Sequence, residues 1–281
     1  MKLLRFGPAG REKPGMLDSM GKIRDLSKVV SGIGWNEISS AGLKALSKIK
    51  PESLPLVKGS PRLGVPYTGI TKFVAIGLNY ADHAKEAGMA IPAEPILFNK
   101  WTTSICGPND DTVVPLGSTK MDWEVEIAIV IGKKCKELDE KDAGKFIAGY
   151  CVVNDISERH FQIERGSQWD RGKGCDTFGP IGPYLVTQDE VGDPQNLDMW
   201  LKVNGEIMQK GNTRTMIFGC HNIVAYCSRF MTLMPGDIIT TGTPPGVGAG
   251  MKPPKFLKVG DVVELGIEKL GTQRQVLRAH P

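Results

Sequence analysis

The sequence predicts an α+β fold that is rich in β-strands. Residues 127–131 and 149–153 are apolar throughout, which is the pattern of strands covered on both faces. Further along, strand-like segments at 199–203 and 206–209 flank Asn204-Gly205, a dipeptide typical of a two-residue hairpin turn. Strands therefore dominate the predicted fold.

The order of the elements predicts two units of unequal size. Residues 1–70 alternate short apolar pieces with Gly and Pro and include a predicted helix at 40–49. We interpret this segment as a small, separately packed N-terminal domain, acting as a structural cap or an oligomer contact. A strand at 72–77 begins the larger domain, residues 71–281, and leads into a short helix that ends near Gly88.

The remaining elements complete the larger domain. A strand is predicted at 96–100, and the pattern after residues 182–186 is strand-rich. An amphipathic helix is predicted at 217–233, and a last pair of strands at 261–266 and 273–277. A long polar connection follows Asp155, and a connection of this kind between core strands is more often functional than not.

Composition excludes several classes of protein. The chain has 281 residues, of which 41% are hydrophobic and 23% charged, so it can bury a large core. Its net charge of +4 is small and scattered, which gives no support to nucleic acid or membrane binding. No apolar stretch is long enough to span a membrane, and the start turns to Gly and Pro too early for a signal peptide. We therefore expect a cytoplasmic protein.

The cysteines indicate a reducing environment. None of the six belongs to a CxxC pair, and several lie within apolar runs. This usage predicts reduced, buried thiols rather than zinc ligands or disulfides. A catalytic thiol is the alternative, for which Cys175 in its polar loop is the candidate.

Three carboxylates at the ends of two apolar strands form the main candidate site. Glu124 and Glu126 are two residues apart on one strand, so their side chains point to the same face. Asp155 follows the second strand and adds a third acid. Because no Cys or His lies nearby, the set predicts a site for one Mg²⁺ or Mn²⁺ ion. A pair of solvated carboxylates on a strand edge is the alternative.

A histidine and a carboxylate lie on the short helix after the first strand of the larger domain. His83 and Glu86 are three residues apart and share a helix face. A carboxylate on one imidazole nitrogen fixes the tautomer and leaves the other nitrogen as a base near neutral pH. A solvated ion pair is the alternative at this spacing.

The polar connection and a later loop offer substrate-binding groups. Arg159 can clamp a substrate carboxylate, and Lys173, between two glycines, can reach a developing oxyanion. Ordinary solvated charges are the alternative for both. The loop at 240–248 lacks the phosphate-binding GxxxxGK[ST] arrangement, and in it Thr243 offers a hydroxyl and an amide donor.

Six motifs, in this order, resemble those of the fumarylacetoacetate hydrolase family, and the resemblance runs from about residue 72 to the C-terminus. They are Gly77-Leu78-Asn79-Tyr80-Ala81-Asp82-His83, Asp122-Trp123-Glu124-Val125-Glu126, Val153-Asn154-Asp155, Gly172-Lys173, Asp176-Thr177-Phe178-Gly179-Pro180 and Thr241-Gly242-Thr243-Pro244-Pro245-Gly246-Val247-Gly248. Residues 1–15 and parts of 252–275 are similar to a bacterial branch assigned to 2,4-diketo-3-deoxy-sugar acids, such as L-fuconate or L-rhamnonate derivatives. Relatives in that branch often carry the label ureidoglycolate lyase.

The resemblance implies a mixed-sheet β-roll or sandwich with peripheral helices, usually assembled as a homodimer. By position, it makes Glu124, Glu126 and Asp155 metal ligands, and His83 and Glu86 a dyad on a lid. It assigns Lys173 to the reacting carbonyl and three residues to substrate contact, Arg159, Gln162 and Thr243. One departure is Gly174-Cys175, where many members have Ser or Thr and then Phe; it bears on pocket shape rather than on chemistry.

The predicted activity is hydrolysis of a carbon–carbon bond in acylpyruvate-type 2,4-diketo acids, giving pyruvate and a carboxylic acid. The predicted partner is therefore a small-molecule 2,4-diketo acid, with no nucleic acid or membrane partner. Two alternatives use the same metal and enolate chemistry: a ureidoglycolate lyase, and an oxaloacetate decarboxylase or tautomerase. A non-catalytic protein that holds a metal–keto acid complex is a further alternative from a different class.

Overall fold

The computed structural model of the protein describes residues 1–86, 88 and 90–280, without the side chain of His83. Within these residues the strands form sheets of eleven, five and two members. Both antiparallel and parallel pairs occur, and the helices lie at the periphery. This architecture confirms the predicted strand-rich α+β class.

The strands are short and distributed along the whole chain. In chain order they are β1 (Lys2–Phe6), β2 (Lys13–Leu17), β3 (Ile23–Asp25), β4 (Leu63–Gly64), β5 (Phe73–Gly77), β6 (Ile96–Lys100), β7 (Ile105–Cys106), β8 (Thr112–Val113), β9 (Met121–Asp122), β10 (Val125–Ile131), β11 (Ile147–Asn154), β12 (Ser157–Glu158), β13 (Gly179–Thr187), β14 (Asp198–Val203), β15 (Glu206–Asn212), β16 (Ile238–Thr240), β17 (Val262–Ile267) and β18 (Gly271–Arg278).

The helices are also short. They are α1 (Trp35–Ile38), α2 (Ser40–Leu46), α3 (Ala81–Glu86), α4 (Glu140–Ala143), α5 (Asp170–Lys173), α6 (Gln188–Val191) and α7 (Cys220–Phe230), with a π-helical turn at His160–Glu164. None of the described helices has the length and apolar character needed to span a bilayer.

The largest sheet positions the site. Its order is β3-β2-β1-β13-β11-β10-β16-β5-β6, with β4 beside β1 and β7 beside β13. The five-stranded sheet has the order β15-β14-β17-β18-β8, and β12 pairs with β9. Strands β10 and β11 are therefore central in the large sheet.

Both faces of the large sheet are covered. Ile127 and Ile129 of β10 pack against the five-stranded sheet in one hydrophobic cluster, while Ala128 and Val130 face a second cluster on the opposite side. Every residue of β10 is buried, which confirms the prediction for this strand. The alternation follows from the two-residue period of a strand.

The N-terminal segment continues the large sheet. Strand β1 pairs with β13, with Leu3 opposite Leu185, and Leu3 and Met16 share the hydrophobic cluster of Ala128. The expectation of separate packing was therefore wrong, because strands β1–β3 extend a sheet whose other members lie beyond residue 70. The division of the chain into domains 1–70 and 71–281 stays a prediction.

Two further predictions had different outcomes. The hairpin is confirmed, because β14 and β15 pair antiparallel with Val203 opposite Glu206. The predicted helix at 217–233 was too long, because α7 spans only Cys220–Phe230. The N–H groups of Ile217 and Phe218 donate to Asn79, which ties this stretch to another segment before the helix begins.

Candidate functional site

Strand register brings the three predicted acids together. Val125 pairs with Asn154, the last residue of β11, and the N–H of the following residue, Asp155, donates to the carbonyl of Glu124 at 2.8 Å. Glu124 and Asp155 are therefore opposite each other, and Glu126 points to the same face as Glu124. Carboxylate oxygens of these three acids all lie within 4.8 Å of one another, and none of the residues is more than 5% exposed. They are not solvated carboxylates of a strand edge.

Two buried cations contact the acids. The ammonium of Lys173 lies 2.6 Å from Glu124 and 2.7 Å from Asp155. The guanidinium of Arg159 lies 2.5 Å from Glu124 and 2.8 Å from Asp122. Lys173 is 2% and Arg159 9% exposed, which excludes the alternative of ordinary solvated charges for both residues.

A glycine allows Lys173 to reach the acids. A Cβ atom at Gly172 would lie 2.4 Å from the carbonyl oxygen of Glu158 and 2.5 Å from the backbone nitrogen of Gln162. Only a residue without a side chain permits this close packing of α5 on the π-helical turn. Gly172 therefore lets helix α5 pack closely on the π-helical turn, and this packing brings Lys173, at the end of α5, to the acids.

Burial and neighbouring charges shift the pKa values of Glu126 and Glu124 in opposite directions. Burial raises the pKa of Glu126 well above its usual range, and the charges of Asp155 and Glu124 add to the increase. Burial also acts to raise the pKa of Glu124, but the charges of Lys173 and Arg159 outweigh it and lower this pKa to about 2. Burial acts to lower the pKa of Lys173, but Asp155 and Glu124 outweigh it and raise this pKa. The negative charge of Glu124 and the positive charge of Lys173 are thus favoured, whereas burial favours the neutral form of Glu126.

Two of the three acids, Glu124 and Glu126, border a cavity of about 70 Å³. Three predicted substrate-binding residues, Arg159, Gln162 and Thr243, border it as well, and Gln162 accepts a hydrogen bond from Arg159 at 3.0 Å. The other lining residues are mainly apolar and are Ile76, Gly77, Leu78, Phe98, Trp169, Gly242 and the stem of Lys173.

The hydroxyl of Thr243 is engaged within the protein. It donates to the carbonyl of Val125 at 2.9 Å and accepts from the amide of Gln209 at 2.8 Å. Its proton is thus directed at the backbone. Of the two donors predicted at this position, the backbone N–H is the one left for a substrate.

The predicted dyad lies on α3, the short helix that follows β5. The side chain of His83 lies outside the described residues. Glu86 is half-buried, and both of its carboxylate oxygens accept from the N–H of Gly246, at 3.0 and 3.2 Å. In the same loop, the N–H of Gly242 donates to Glu126 at 2.9 Å. One loop therefore contacts both Glu86 and the acid cluster.

Sequence reasoning missed a third buried cation, Lys100. Its ammonium lies 2.7 Å from the Oδ1 atom of Asp155 and donates to the carbonyls of Ile156 and Lys173. The ammonium group thus has one ion-pair partner and two carbonyl acceptors. The signal in the sequence was a cation at the end of a strand that begins with three apolar residues, but its spacing does not reveal which acid it contacts.

Asp122 was also missed as a functional residue. Besides contacting Arg159, it accepts from the N–H groups of Gly248 at 2.7 Å and Ala249 at 3.0 Å. It lies two residues before Glu124, so its signal was its position in the acid motif. Asp122 orients the guanidinium and anchors the loop.

The donor set fits a hard divalent cation. The three clustered acids offer oxygen ligands, which Mg²⁺ and Mn²⁺ prefer. Burial is the largest cause of the raised pKa of Glu126, and repulsion from the charges of Asp155 and Glu124 adds to it. A divalent cation among these oxygens compensates that repulsion, so the residues present suit such an ion.

Comparison with known proteins identifies the family. Residues 72–278 match the family described as fumarylacetoacetate (FAA) hydrolase C-terminal. A Burkholderia orbicola protein, named as a hydrolase without a stated substrate, is 62% identical over 279 residues, which cover 99% of both chains.

Solved structures agree with this match over the whole chain. The fumarylacetoacetate hydrolase of Exiguobacterium antarcticum is 35% identical, with a TM-score of 0.87 and full coverage of both chains. The maleylpyruvate hydrolase of Sphingobium sp. SYK-6, solved with manganese(II) and pyruvate, is 29% identical, with a TM-score of 0.82 and full coverage of both chains. The chain therefore belongs to the fumarylacetoacetate hydrolase family.

Proposed function

We propose that the protein hydrolyses a carbon–carbon bond in acylpyruvate-type 2,4-diketo acids, with 2,4-diketo-3-deoxy-sugar acids as the preferred substrates. The observation that carries the proposal is the buried cluster of Glu124, Glu126 and Asp155, with Lys173 in contact and a cavity alongside. Such a cluster suits a substrate that chelates a cation through its α-keto acid end. The structure of a family member with manganese(II) and pyruvate supports this class of substrate.

The three acids are the residues that would hold one Mg²⁺ or Mn²⁺ ion per subunit. When bound, such an ion acts as a Lewis acid and stabilises negative charge on the oxygens of the keto acid, by on the order of a few kcal/mol.

The cavity residues hold and orient the substrate. Arg159 and the backbone N–H of Thr243 bind the substrate carboxylate. Asp122 and Glu124 keep the Arg159 guanidinium in place through hydrogen bonds of 2.8 and 2.5 Å. Gln162, hydrogen-bonded to Arg159, provides a further polar contact. A planar guanidinium with such partners is pre-organised for a carboxylate.

The reaction uses a water molecule and two proton transfers. His83, oriented by Glu86, takes a proton from water, and the hydroxide adds to the distal carbonyl carbon. The bond between that carbon and the methylene group then breaks, and its electron pair passes to the pyruvate enolate. Lys173 stabilises the enolate charge, and a proton returned to the enolate carbon completes pyruvate. The other product is a carboxylic acid.

The direct test is release of pyruvate from a panel of 2,4-diketo acids, with and without a chelator. We expect release from acylpyruvates that depends on Mg²⁺ or Mn²⁺, fastest with 2,4-diketo-3-deoxy-sugar acids. Unchanged turnover in excess chelator would contradict the metal-dependent mechanism, and release from simple acylpyruvates alone would contradict the sugar-acid assignment.

Replacement of Glu126 by Gln separates folding from metal binding. The neutral amide resembles the protonated carboxyl group that burial favours, and its oxygen can still accept from Gly242. We expect an unchanged melting temperature in metal-free protein but loss of turnover by about 10²-fold or more, because one ligand is lost. Calorimetric titration with Mn²⁺ checks the binding. Full activity of this variant would refute the metal assignment.

Replacement of His83 by Ala distinguishes hydrolysis from the alternative reactions. Hydrolysis needs an activated water, whereas decarboxylation or tautomerisation at the same cation does not. We expect the variant to lose pyruvate release from acylpyruvates by about 10²–10⁴-fold while binding Mn²⁺ as the wild type does. An unaffected rate rules out His83 as the proposed base.

A further inference from the structure

We propose that Gln209 is a positioning residue for the acid pair Glu124 and Glu126, a role that rests on the proposed function of that pair. Gln209 lies on β15 of the five-stranded sheet, whereas the acids belong to the large sheet. It is 0% exposed, although the next residue, Lys210, is exposed and β15 is an edge strand. A buried amide in such a strand requires internal partners.

Its partners surround the residue between the two acids. The N–H of Val125 donates to the Gln209 amide oxygen at 3.0 Å, and the carbonyl of Val125 accepts from the Thr243 hydroxyl at 2.9 Å. The Gln209 amide nitrogen donates in turn to that hydroxyl, at 2.8 Å, and to the Pro244 carbonyl, at 2.7 Å. This closed set of hydrogen bonds holds Val125 at both its N–H and its carbonyl.

Side chains form the hydrogen bonds that strand β16 would form with β10 if it were longer. Strand β16 pairs with β10 only from Ala128 to Val130, so it does not reach the part of β10 that carries the acids. There the Thr241 hydroxyl donates to the Ile127 carbonyl at 2.9 Å, and the side chains of Thr243 and Gln209 form hydrogen bonds with the backbone of Val125. Without these side chains, buried backbone groups beside the acids would lack partners, at a cost of about 1–3 kcal/mol each.

The same amide connects the acids to the loop that contacts Glu86. Packing between β15 and this loop is tight, because a Cβ atom at Gly246 would lie 2.0 Å from the Met208 carbonyl oxygen. A Cβ atom at Gly211 would lie 2.6 Å from Pro244. Because the packing is tight, the loop and β15 cannot shift to compensate for a change at Gln209.

Replacement of Gln209 by Met tests the inference. Met keeps the length of the side chain but removes both the acceptor and the donors. We expect Mn²⁺ affinity, measured by electron paramagnetic resonance titration of metal-free protein, to fall about 10–100-fold, with a similar loss of kcat. In metal-free protein, hydrogen exchange of a peptide containing Val125 should be faster than in the wild type.

Replacement of Gln188 by Met is the matched control. This amide also donates to two backbone carbonyls, those of Gly144 and Ile147, but at the opposite end of β11. We expect it to lower the melting temperature without changing Mn²⁺ affinity or exchange at Val125. If Gln209→Met does not fold, Gln209→Glu keeps the acceptor for Val125, removes both donors and undergoes the same measurements.

The outcomes separate this inference from the proposed function. Wild-type Mn²⁺ affinity and wild-type exchange in the Gln209 variant would overturn the positioning role alone. Absence of Mn²⁺ binding by the wild type would overturn the proposed metal site, while the exchange measurement on metal-free protein would still decide whether Gln209 holds Val125.

Discussion

At the scale of single residues, the site balances charges that are all buried. Lys173 lies between Glu124 and Asp155, Lys100 contacts the other oxygen of Asp155, and Arg159 contacts Glu124. Removing one partner from such an arrangement leaves an uncompensated buried charge, which costs far more than the loss of a surface ion pair. The metal-free protein should therefore depend on Lys173 for stability as well as for chemistry.

Replacement of Lys173 by Met tests this dependence. We expect metal-free protein to lose about 3–5 kcal/mol of stability, because two carboxylates lose a cation. Added Mn²⁺ should then raise the melting temperature more than it does in the wild type, since the ion supplies the missing positive charge and no longer competes with the ammonium. Thermal denaturation with and without Mn²⁺ measures both effects.

The control for this variant is a second ion pair far from the acids. Lys72 lies 2.9 Å from the buried Asp237, so Lys72→Met also removes a cation from a buried carboxylate. We expect a lower melting temperature but a wild-type response to Mn²⁺. Equal Mn²⁺ responses of the Lys173 variant and the wild type would show that the ammonium and the metal do not share their ligands.

At the scale of elements, the loop at 241–248 organises the site. It donates to Glu126 through Gly242 and to Glu86 through Gly246, and Gly248 donates to Asp122. Gly246 has a φ of +104°, which lies in the left-handed region that favours glycine. Its close contact with β15 adds a second reason for glycine at this position.

Gly246→Ala should open this loop. We expect the free energy of unfolding to fall by about 1–2 kcal/mol because of the backbone conformation. Overlap of the new Cβ atom with the Met208 carbonyl should lower it by about 1–3 kcal/mol more. Mn²⁺-dependent turnover should fall as well, because the bond to Glu86 is disturbed. Gly205→Ala is the control: its φ is +82°, but a Cβ there meets nothing within 4 Å. Equal losses in the two variants would argue against tight packing of the loop.

At the scale of the whole molecule, the N-terminal strands and the strand that carries Glu126 share one sheet. Leu3 and Met16 lie in a hydrophobic cluster with Ala128 and Val130 of β10, the strand that carries Glu126. Residues on both sides of a boundary near residue 70 therefore contribute to the same hydrophobic cluster, so the two segments stabilise each other. The N-terminal segment supports the back of the strand that carries the site.

A chain of residues 71–281 tests this arrangement. We expect it to aggregate or to unfold without cooperativity, because β13 loses its neighbour β1 and the cluster around Ala128 is exposed. Size-exclusion chromatography and circular dichroism melting provide the measurement, with the full chain as reference. A soluble, cooperatively folded fragment would instead establish the predicted division into two domains.

Much of the fold was predictable because it follows from local patterns. The period of two places Glu124 and Glu126 on one face, and the apolar run of β10 indicates coverage on both faces. The hairpin at Asn204-Gly205 follows from a turn that these residues adopt readily. Each of these features depends on neighbours in the sequence, so the sequence by itself determined them.

Other features depend on pairings between distant segments, and only the tertiary structure decided them. The ion pairs of Arg159 and Lys173 with Glu124, and the position of Lys100 beside Asp155, appear only in the folded chain. The role of Gln209 arises because two sheets meet at Val125, 84 positions away in the sequence. The reason is physical: periodicity determines which face a side chain occupies, whereas the partner that covers that face is selected by packing of the whole chain.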